Sequence, residues 1–207
     1  YILSRLAFRN MRSRVPSVHI DQFVHTIRDM IENARDSLLR RSAQLAIGQL
    51  SLSKILSPSM LSDAEWKVIK EVLVRDAKAE SEVAIMALGL LPAIFPKENT
   101  GDSHFSTLTE ALYDLHEIRS PEIHFTVGEA LSNAAAGWDS KSLNLEFDVD
   151  SESPNSNVPE QVLASVADTI IAKCGAPKPS LKRASAIWLL SLVKNCGHLT
   201  LMQDRLR

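Results

Sequence analysis

Apolar residues recur at helical spacing along most of the chain. Steps of three and four residues place them on one side of a helix, so each stripe predicts an amphipathic helix facing a core. The stripes comprise Ile20, Phe23, Val24, Ile27 and Ile31; Leu39, Ala43, Ala46, Ile47 and Leu50; Val68, Ile69, Val72 and Leu73; Val83, Ala84, Ala87, Leu88 and Leu91; Phe105, Leu108, Ala111, Leu112 and Leu115; Ile123, Val127, Ala130, Leu131 and Ala134; and Leu163, Val166, Ala167, Ile170 and Ile171.

Start and stop signals separate these stripes. Ser62 and Glu65 have the spacing of a capping box, in which each side chain bonds the other residue's backbone N–H. Ser120 followed by Pro121 predicts another helix start. Pro92 is expected to kink or end its helix. Gly137 is expected to close the helix that begins after Ser120. The chain therefore divides into helices with short polar connections.

The stretch from Ser180 to Val193 differs from the others. Ser180 is expected to cap a helix. The residues from Ala184 to Val193 are apolar on nearly every face, which predicts an inner helix covered by neighbours. The run is too short to span a membrane, which takes about 20 apolar residues.

The second helix of each pair carries a repeated pattern. Ala46–Leu50 resembles Ala87–Leu91 at a shift of 41 and Thr126–Ala130 at a further 39, and Ala186–Leu190 follows at 60. A unit of about 40 residues is typical of HEAT and armadillo arrays. Gly48, Gly89 and Gly128 fall at the same place in three copies, where a neighbouring backbone is expected to approach closely.

The fold class predicted is all-α, an α-solenoid of about four to five HEAT-like helix pairs, with an irregular helical bundle as the alternative. Residues 1–207 form one segment of that array. Residues 139–157 are an acidic loop insertion that accounts for the longer last shift. Because neighbouring units are missing, apolar end surfaces are expected near residues 1–14 and 196–207. The chain begins with Tyr1, which favours a piece of a longer protein.

Charge, cysteine and histidine content and short motifs give no sign of nucleic-acid binding, metal binding or catalysis. The formal net charge is −2, so the field does not favour nucleic acid. Cys174 and Cys196 are expected to be free thiols, and two cysteines do not supply a zinc site. None of the six histidines has metal-ligand spacing, and His116 and His124 are expected to be ordinary surface or packed residues. We find no nucleophile elbow, phosphate loop or dinucleotide motif, so no catalytic, cofactor or metal residue is assigned.

Two charged segments are candidates for interaction. Arg5, Arg9, Arg12 and Arg14 lie in a basic N-terminal region that could meet an acidic partner or nucleic acid. The simpler interpretation is a solvated face, because no aromatic residues alternate with the arginines. Asp148, Asp150 and Glu152 lie in the acidic insertion, which could dock a partner or be a tolerated loop.

Residues 162–173 and 179–194 together resemble one HEAT unit of a proteasome-associated adaptor and scaffold family. The block from Ala186 to Lys194 carries most of that resemblance, and Ile123–Leu131 is similar to the preceding unit. The resemblance implies an internal fragment of a much longer solenoid that is not an enzyme and uses no cofactor. It implies binding to the assembled proteasome, linking its proteolytic core and regulatory particle in assembly quality control, in the cytoplasm and nucleus.

The partners implied are proteasome subunits and adjoining repeats of the parent chain. No small-molecule substrate, nucleic acid or membrane insertion is expected. The alternative function is a segment of a HEAT or armadillo cargo or transport receptor. Such receptors would place acidic residues, Asn or Trp at regular intervals on inner helices, but Trp66, Trp138 and Trp188 are not regularly spaced. An enzyme with an unrecognised helical site is a third possibility, which a pocket of clustered polar side chains would favour.

Overall fold

A computed structural model describes residues 17–95, 104–137, 140 and 160–199. Within these residues the chain forms eight α-helices and no strand, so the predicted all-α class of helix pairs is confirmed. The helices are α1 Ser17–Asn33, α2 Ser37–Leu52, α3 Asp63–Lys78, α4 Glu82–Leu90, α5 His104–Tyr113, α6 Pro121–Ala136, α7 Glu160–Cys174 and α8 Pro179–Cys196. Short 3-10 helices span Pro58–Met60, Leu91–Ile94 and Asp114–Glu117.

The chain divides into two compact units, Tyr1–Leu108 and Thr109–Arg207. In the first unit α1 packs on α2 and α3 packs on α4. The second helices of the two pairs, α2 and α4, also pack on each other, and so do α1 and α3. The result is two layers: α1 and α3 form an outer layer, and α2 and α4 an inner one. Its core includes Ile47, Ile69 and Leu88, each fully buried.

In the second unit the inner layer consists of α6 and α8, and α7 packs mainly on α8. Contacts follow the same order along both inner helices. The His124 ring lies 6.1 Å from the Trp188 ring, Gly128 lies beside Ser191, and the carbonyl of Ser132 lies 4.0 Å from the thiol of Cys196. The inner helices α6 and α8 are therefore parallel, as expected when successive helix pairs stack.

Two of the repeated glycines allow close helix contact. A Cβ on Gly48 would lie 3.2 Å from the Cα of Ala87 in α4. A Cβ on Gly128 would lie 2.5 Å from the Cβ of Ser191 in α8, closer than real side chains pack. The expectation that these glycines admit a neighbouring helix is confirmed at both positions.

Most predicted helix ends are also confirmed. Ser62 and Glu65 form both hydrogen bonds of the capping box at the start of α3. The Ser120 hydroxyl accepts from the N–H of Ile123 at the start of α6, which ends at Gly137 with φ of 55°. The α4 helix ends at Leu90, just before Pro92, and continues as a 3-10 turn.

The last helix differs from the prediction at its start and on one face. Lys178 occupies the cap position of α8 and Pro179 its first turn, so Ser180 lies inside the helix and does not cap it. Proline at the first turn needs no N–H partner, and the cap lies two residues earlier than predicted, at Lys178 instead of Ser180. Leu190 is 58 % exposed, so α8 is not covered on every side.

Three stripe residues also face solvent where burial was expected: Phe23, Leu39 and Ile171 are 39 %, 43 % and 48 % exposed. Trp66, which lay outside the predicted stripe, is instead among the largest buried side chains. Its indole N–H donates to the carbonyl of Pro58 at 2.9 Å, and its ring meets Phe95 edge-on. A polar partner for the indole allows this large side chain to be buried.

Candidate interaction surface

Some charged groups of the first unit join one helix to another. Arg28 of α1 pairs with Asp29 and Glu32 on its own helix, and its guanidinium lies 3.8 Å from Glu65 of α3. Hydrogen bonds from Ser62, with weaker help from His25 and Arg28, lower the pKa of Glu65. The carboxylate thus stays charged while it closes the capping box and links the outer helices.

A second polar contact joins α2 to α3. The amide of Gln44, a fully buried side chain, donates to Asp76 at 2.7 Å. The guanidinium of Arg40 lies 3.4 Å from the same carboxylate. Of the described basic residues in the N-terminal region, Arg28 and Arg40 are therefore engaged within the fold, and exposed Arg35, Arg41 and Lys54 remain on the surface.

Lys70 and His104 form the most chemically suggestive pair in this unit. The Lys70 ammonium lies 3.0 Å from Nδ1 of His104, whose ring stacks on Phe95 with centroids 4.5 Å apart. Burial lowers the pKa of both groups, the Lys70 charge lowers that of His104 further, and Asp63 opposes both shifts. A neutral imidazole can accept from the ammonium. This geometry holds the start of α5 against α3.

His116 and His124 of the second unit are packed against backbone carbonyls, one of the two roles expected for them. His124 is fully buried, and its Nε2–H donates to the carbonyl of Ile118 at 2.7 Å. Burial is the main cause that lowers its pKa, and the Ile118 hydrogen bond opposes it. Nδ1 of His116 lies 3.1 Å from the carbonyl of Tyr113. Burial also raises the pKa of Tyr113, whose ring lies against Trp188 and beneath Lys173.

Within the described ranges no group of three or more His, Cys, Asp or Glu could hold a metal ion. None of the helices described is long and apolar enough to cross a bilayer. Cys174 and Cys196 are free thiols, half-buried and buried respectively, as predicted.

The candidate interaction residues from the sequence lie outside the described residues: Arg5, Arg9, Arg12, Arg14, Asp148, Asp150 and Glu152. The same holds for nearly all of the acidic insertion 139–157, for the expected end surface near residues 1–14, and for residues 200–207 of the end surface expected near 196–207. Their roles stay predictions.

Exposed apolar side chains are the surface feature that sequence reasoning missed. In the first unit Leu38 and Leu45 of α2 are 72 % and 37 % exposed, and in the second Phe125 and Leu190 lie on the inner helices. Both members of the α2 pair lie on one face, seven residues apart. The signal was present in the sequence, because Leu38 and Leu45 lie off the predicted buried stripe. Exposed apolar groups that cluster on one face indicate a contact surface.

The fold and these surfaces define an all-α protein of stacked helix pairs with exposed apolar and charged side chains. Among curated proteins, the chain is similar to "Proteasome component ECM29" of Saccharomyces cerevisiae, with 27 % identity over 96 % of this chain and 10 % of that protein. It is 32 % identical to "Proteasome adapter and scaffold protein ECM29" of Homo sapiens over 58 % of this chain and 6 % of that protein. A third relative, "Proteasome component ecm29" of Schizosaccharomyces pombe, is 26 % identical over 68 % of this chain and 8 % of its own length.

These relatives confirm the predicted resemblance to the proteasome-associated adaptor and scaffold family. The chain spans about a tenth or less of the length of each of the three. No family model matches the chain. No solved structure matches it either.

Proposed function

We propose that this chain is a non-catalytic scaffold segment of a proteasome adaptor. The observation that carries the proposal is the similarity to three proteins named as proteasome components or adapters, one of them along nearly the whole chain. The fold supports it, since stacked helix pairs provide extended surface for large partners.

The finer part of the proposal is that the parent protein binds the assembled proteasome, links its core and regulatory particles, and acts in assembly quality control in the cytoplasm and nucleus. The described residues support a binding role over catalysis in one respect. The polar groups with shifted pKa values, such as Glu65, His104 and His124, are engaged in capping or helix packing. Stacked helix pairs can present separate surfaces to two particles at once.

The test is affinity purification of the full-length protein that contains this sequence, tagged at its native level. Subunits of both the core and the regulatory particle should be recovered with it, and recovery should fall when the two particles are separated beforehand. If subunits of both particles were recovered equally well after the particles had been separated, proteasome binding would stand but the proposed linking role would be contradicted. Absence of proteasome subunits under conditions that keep the particles intact would contradict the whole proposal.

Location is tested separately by imaging the same tagged protein. Signal in both the cytoplasm and the nucleus is expected. Restriction to a third compartment, such as the lumen of the secretory pathway, would contradict the proposed site of action.

A further inference from the structure

One side of the inner layer is open in the second unit. The exposed apolar residues of its two helices are Phe125 of α6 and Leu190 of α8, which are 44 % and 58 % exposed. Each lies two residues before a fully buried one, Val127 or Leu192, and therefore about 200° round its helix from it. The outer helix α7 packs on both inner helices. The open side of the layer is therefore the side away from α7.

The exposed face of α6 carries acidic residues. Glu122, Phe125 and Glu129 follow one another at steps of three and four residues, which places them on one face of the helix. Glu122 is exposed and accepts a hydrogen bond from the Ser120 hydroxyl at 2.8 Å, and Glu129 is half-buried. The helix carries no Lys or Arg. Its two glutamates are about 10 Å apart along the helix axis.

The exposed face of α8 carries basic residues instead. Its members follow one another at steps of four, three and four residues and therefore share one face: Arg183, Ile187, Leu190 and Lys194. Arg183 and Lys194 are exposed, and Ile187 is half-buried. The helix carries no Asp or Glu. Arg183 and Lys194 are about 16 Å apart along the helix axis.

The parallel packing of α6 and α8 sets these two rows side by side. Phe125 lies about 60° round α6 from Gly128, which contacts α8, and both glutamates lie farther round. Ile187 lies about 40° round α8 from Ser191, the residue beside Gly128. Phe125 and Ile187 are therefore central, with the acidic row along one edge and the basic row along the other. We call this surface the α6–α8 face: Glu122, Phe125 and Glu129 of α6, and Arg183, Ile187, Leu190 and Lys194 of α8.

Both rows of charge are available to a partner. Within the described residues no ion pair is formed by Glu122, Glu129, Arg183 or Lys194. A surface with separate acidic and basic rows fits a partner that carries the opposite signs in the matching order, because like charges placed opposite each other are unfavourable. The face thus favours a partner with both signs over one that is only acidic or only basic.

The secondary structure of the layer indicates that this partner is a helix. The backbone groups in the middle of α6 and α8 are bonded within each helix, so the face has no sheet edge to which an extended strand could add. A helix satisfies its own backbone hydrogen bonds and can pack on such a surface through its side chains alone. Its side chains also repeat along one face at the same steps of three and four residues as the two rows.

We propose that the α6–α8 face binds a helix of a proteasome subunit. That helix carries apolar residues along its middle, which contact Phe125. Basic residues on one edge of it meet Glu122 and Glu129. Acidic residues on its other edge meet Arg183 and Lys194. The source of the helix rests on the proposed function, whereas its chemistry follows from the face.

Photo-crosslinking from the full-length protein that contains this sequence tests the contact. The photoreactive residue p-benzoylphenylalanine replaces Phe125 in one variant and Ile171 in the control, and each variant is mixed with purified assembled proteasome. Ile171 is 48 % exposed but lies on the outer helix α7. After irradiation, mass spectrometry should find the Phe125 variant linked to one helical segment of a proteasome subunit, with a yield several-fold above that of the Ile171 variant.

Co-sedimentation of the unaltered protein with the proteasome is measured in parallel. If the protein binds but the Phe125 variant links no better than the control, this inference is wrong and the proposed function stands. If the unaltered protein does not bind, both are wrong. A link from Phe125 to a second copy of the chain, or to a segment without the two charged edges, would also overturn the inference.

Exchanging the two rows tests the charge pattern. Glu122→Lys, Glu129→Lys, Arg183→Glu and Lys194→Glu together reverse both rows and leave the net charge of the chain unchanged. Binding of the full-length protein to the proteasome should weaken about tenfold, because like charges then lie opposite each other.

The matched control for this exchange is Lys67→Glu with Glu71→Lys, which reverses an exposed ion pair on α3 and also preserves net charge. It should bind as tightly as the unaltered protein. Equal binding by the row-exchanged variant and this control would refute the proposed docking site.

Discussion

At the scale of single residues, Gly128 has little room for a side chain. A Cβ there would meet Ser191 at 2.5 Å and the Cα of Trp188 at 3.1 Å. The second of these atoms belongs to the backbone, so the clash is relieved only by moving α8. Any larger side chain at this position therefore alters the contact between α6 and α8.

Gly128→Ala should lower the free energy of unfolding by about 2 kcal/mol, the upper end of the range, because the new Cβ would lie only 2.5 Å from the Cβ of Ser191. Overpacking costs about 1–3 kcal/mol, and the better helix propensity of alanine offsets about 1 kcal/mol of it. Urea unfolding followed by tryptophan fluorescence measures the change. Gly175→Ala is the matched control, because its Cβ would lie at an ordinary 3.5 Å from the carbonyl of Ala172. Ser191→Gly removes the shortest contact of the new Cβ. Gly128→Ala should therefore cost less stability in a chain that already carries Ser191→Gly than it costs in the unaltered chain.

His124 should make the stability of the second unit depend on pH. Its pKa is lowered in the folded state by burial. The unfolded chain therefore binds a proton more readily, with an ordinary histidine pKa of about 6.5. The stabilisation is fully present above that value and is lost as the pH falls through the folded-state pKa.

The measurement is the free energy of unfolding between pH 7.5 and pH 5. His124→Gln should be less stable at neutral pH but should lose less stability on acidification than the unaltered chain. His19→Gln, a change at an exposed histidine, is the control and should follow the unaltered chain. A His124→Gln variant with an unchanged pH slope would contradict the assigned role.

Residue-level burial was predictable only in part. The position of Gly48 and Gly128 in a repeated pattern was enough to predict close approach. Leu38 lies off the predicted stripe, so its exposure agrees with the pattern. The exposure of Leu190 could not be derived, because it depends on which neighbouring helix covers that face of α8. The burial of Trp66 likewise depends on a carbonyl eight residues earlier, at Pro58, which a helical stripe does not encode.

At the scale of elements, the two serines at helix starts behave differently. The Ser62 hydroxyl accepts from the backbone of Glu65, and the Glu65 carboxylate accepts from the N–H of Ser62 at 2.8 Å. Ser180 lies in the first turn of α8, and no hydrogen bond is formed by its buried hydroxyl among the described residues. The same residue type thus stabilises one helix start and not the other.

Ser62→Ala should reduce the free energy of unfolding by about 1 kcal/mol, the usual cost of losing a cap. Ser180→Ala should change it by a few tenths of a kcal/mol at most, because no bond is lost. Thermal or urea unfolding of the two variants side by side measures the difference. A larger loss for Ser180→Ala would show that α8 begins at Ser180, as the sequence alone suggested.

Helix existence and pairing were predicted from periodicity, since stripes at spacings of three and four arise only from helices. The residues at which helices begin were predicted less accurately. At α8 both Pro179 and Ser180 are good starting residues, and the proline prevailed because its fixed φ suits the first turn. The residue types around this helix start do not show which of the two residues begins the helix.

At the scale of the whole molecule, charge argues against general binding to nucleic acid. The chain carries a formal net charge of −2. Two of the described basic residues, Arg28 and Arg40, lie within 4 Å of acidic groups on the adjoining outer helix α3. Neutralised guanidinium groups release few counterions from a phosphate backbone.

The complete chain should therefore show no association with short DNA or RNA duplexes at low salt, where such binding is strongest. Fluorescence anisotropy of a labelled duplex gives the measurement. The comparison is a variant in which Glu65→Gln and Asp76→Asn neutralise the acidic partners of Arg28 and Arg40, and any binding that depends on those two arginines would rise in it. A strong, salt-sensitive signal from the unaltered chain would assign the N-terminal arginines to nucleic acid.

The parallel contact at Gly128 has a mechanical consequence. Backbone and Cβ atoms, which have no rotamers, determine the separation of α6 and α8 at that point. Side-chain fluctuations elsewhere in the unit cannot widen it. Under a pulling or bending load, such as a large partner would exert, this contact should resist separation more than contacts made through flexible side chains do. Elastic deformation should then concentrate in the connection from Gly175 to Lys178, where the backbone leaves one helix and enters the next.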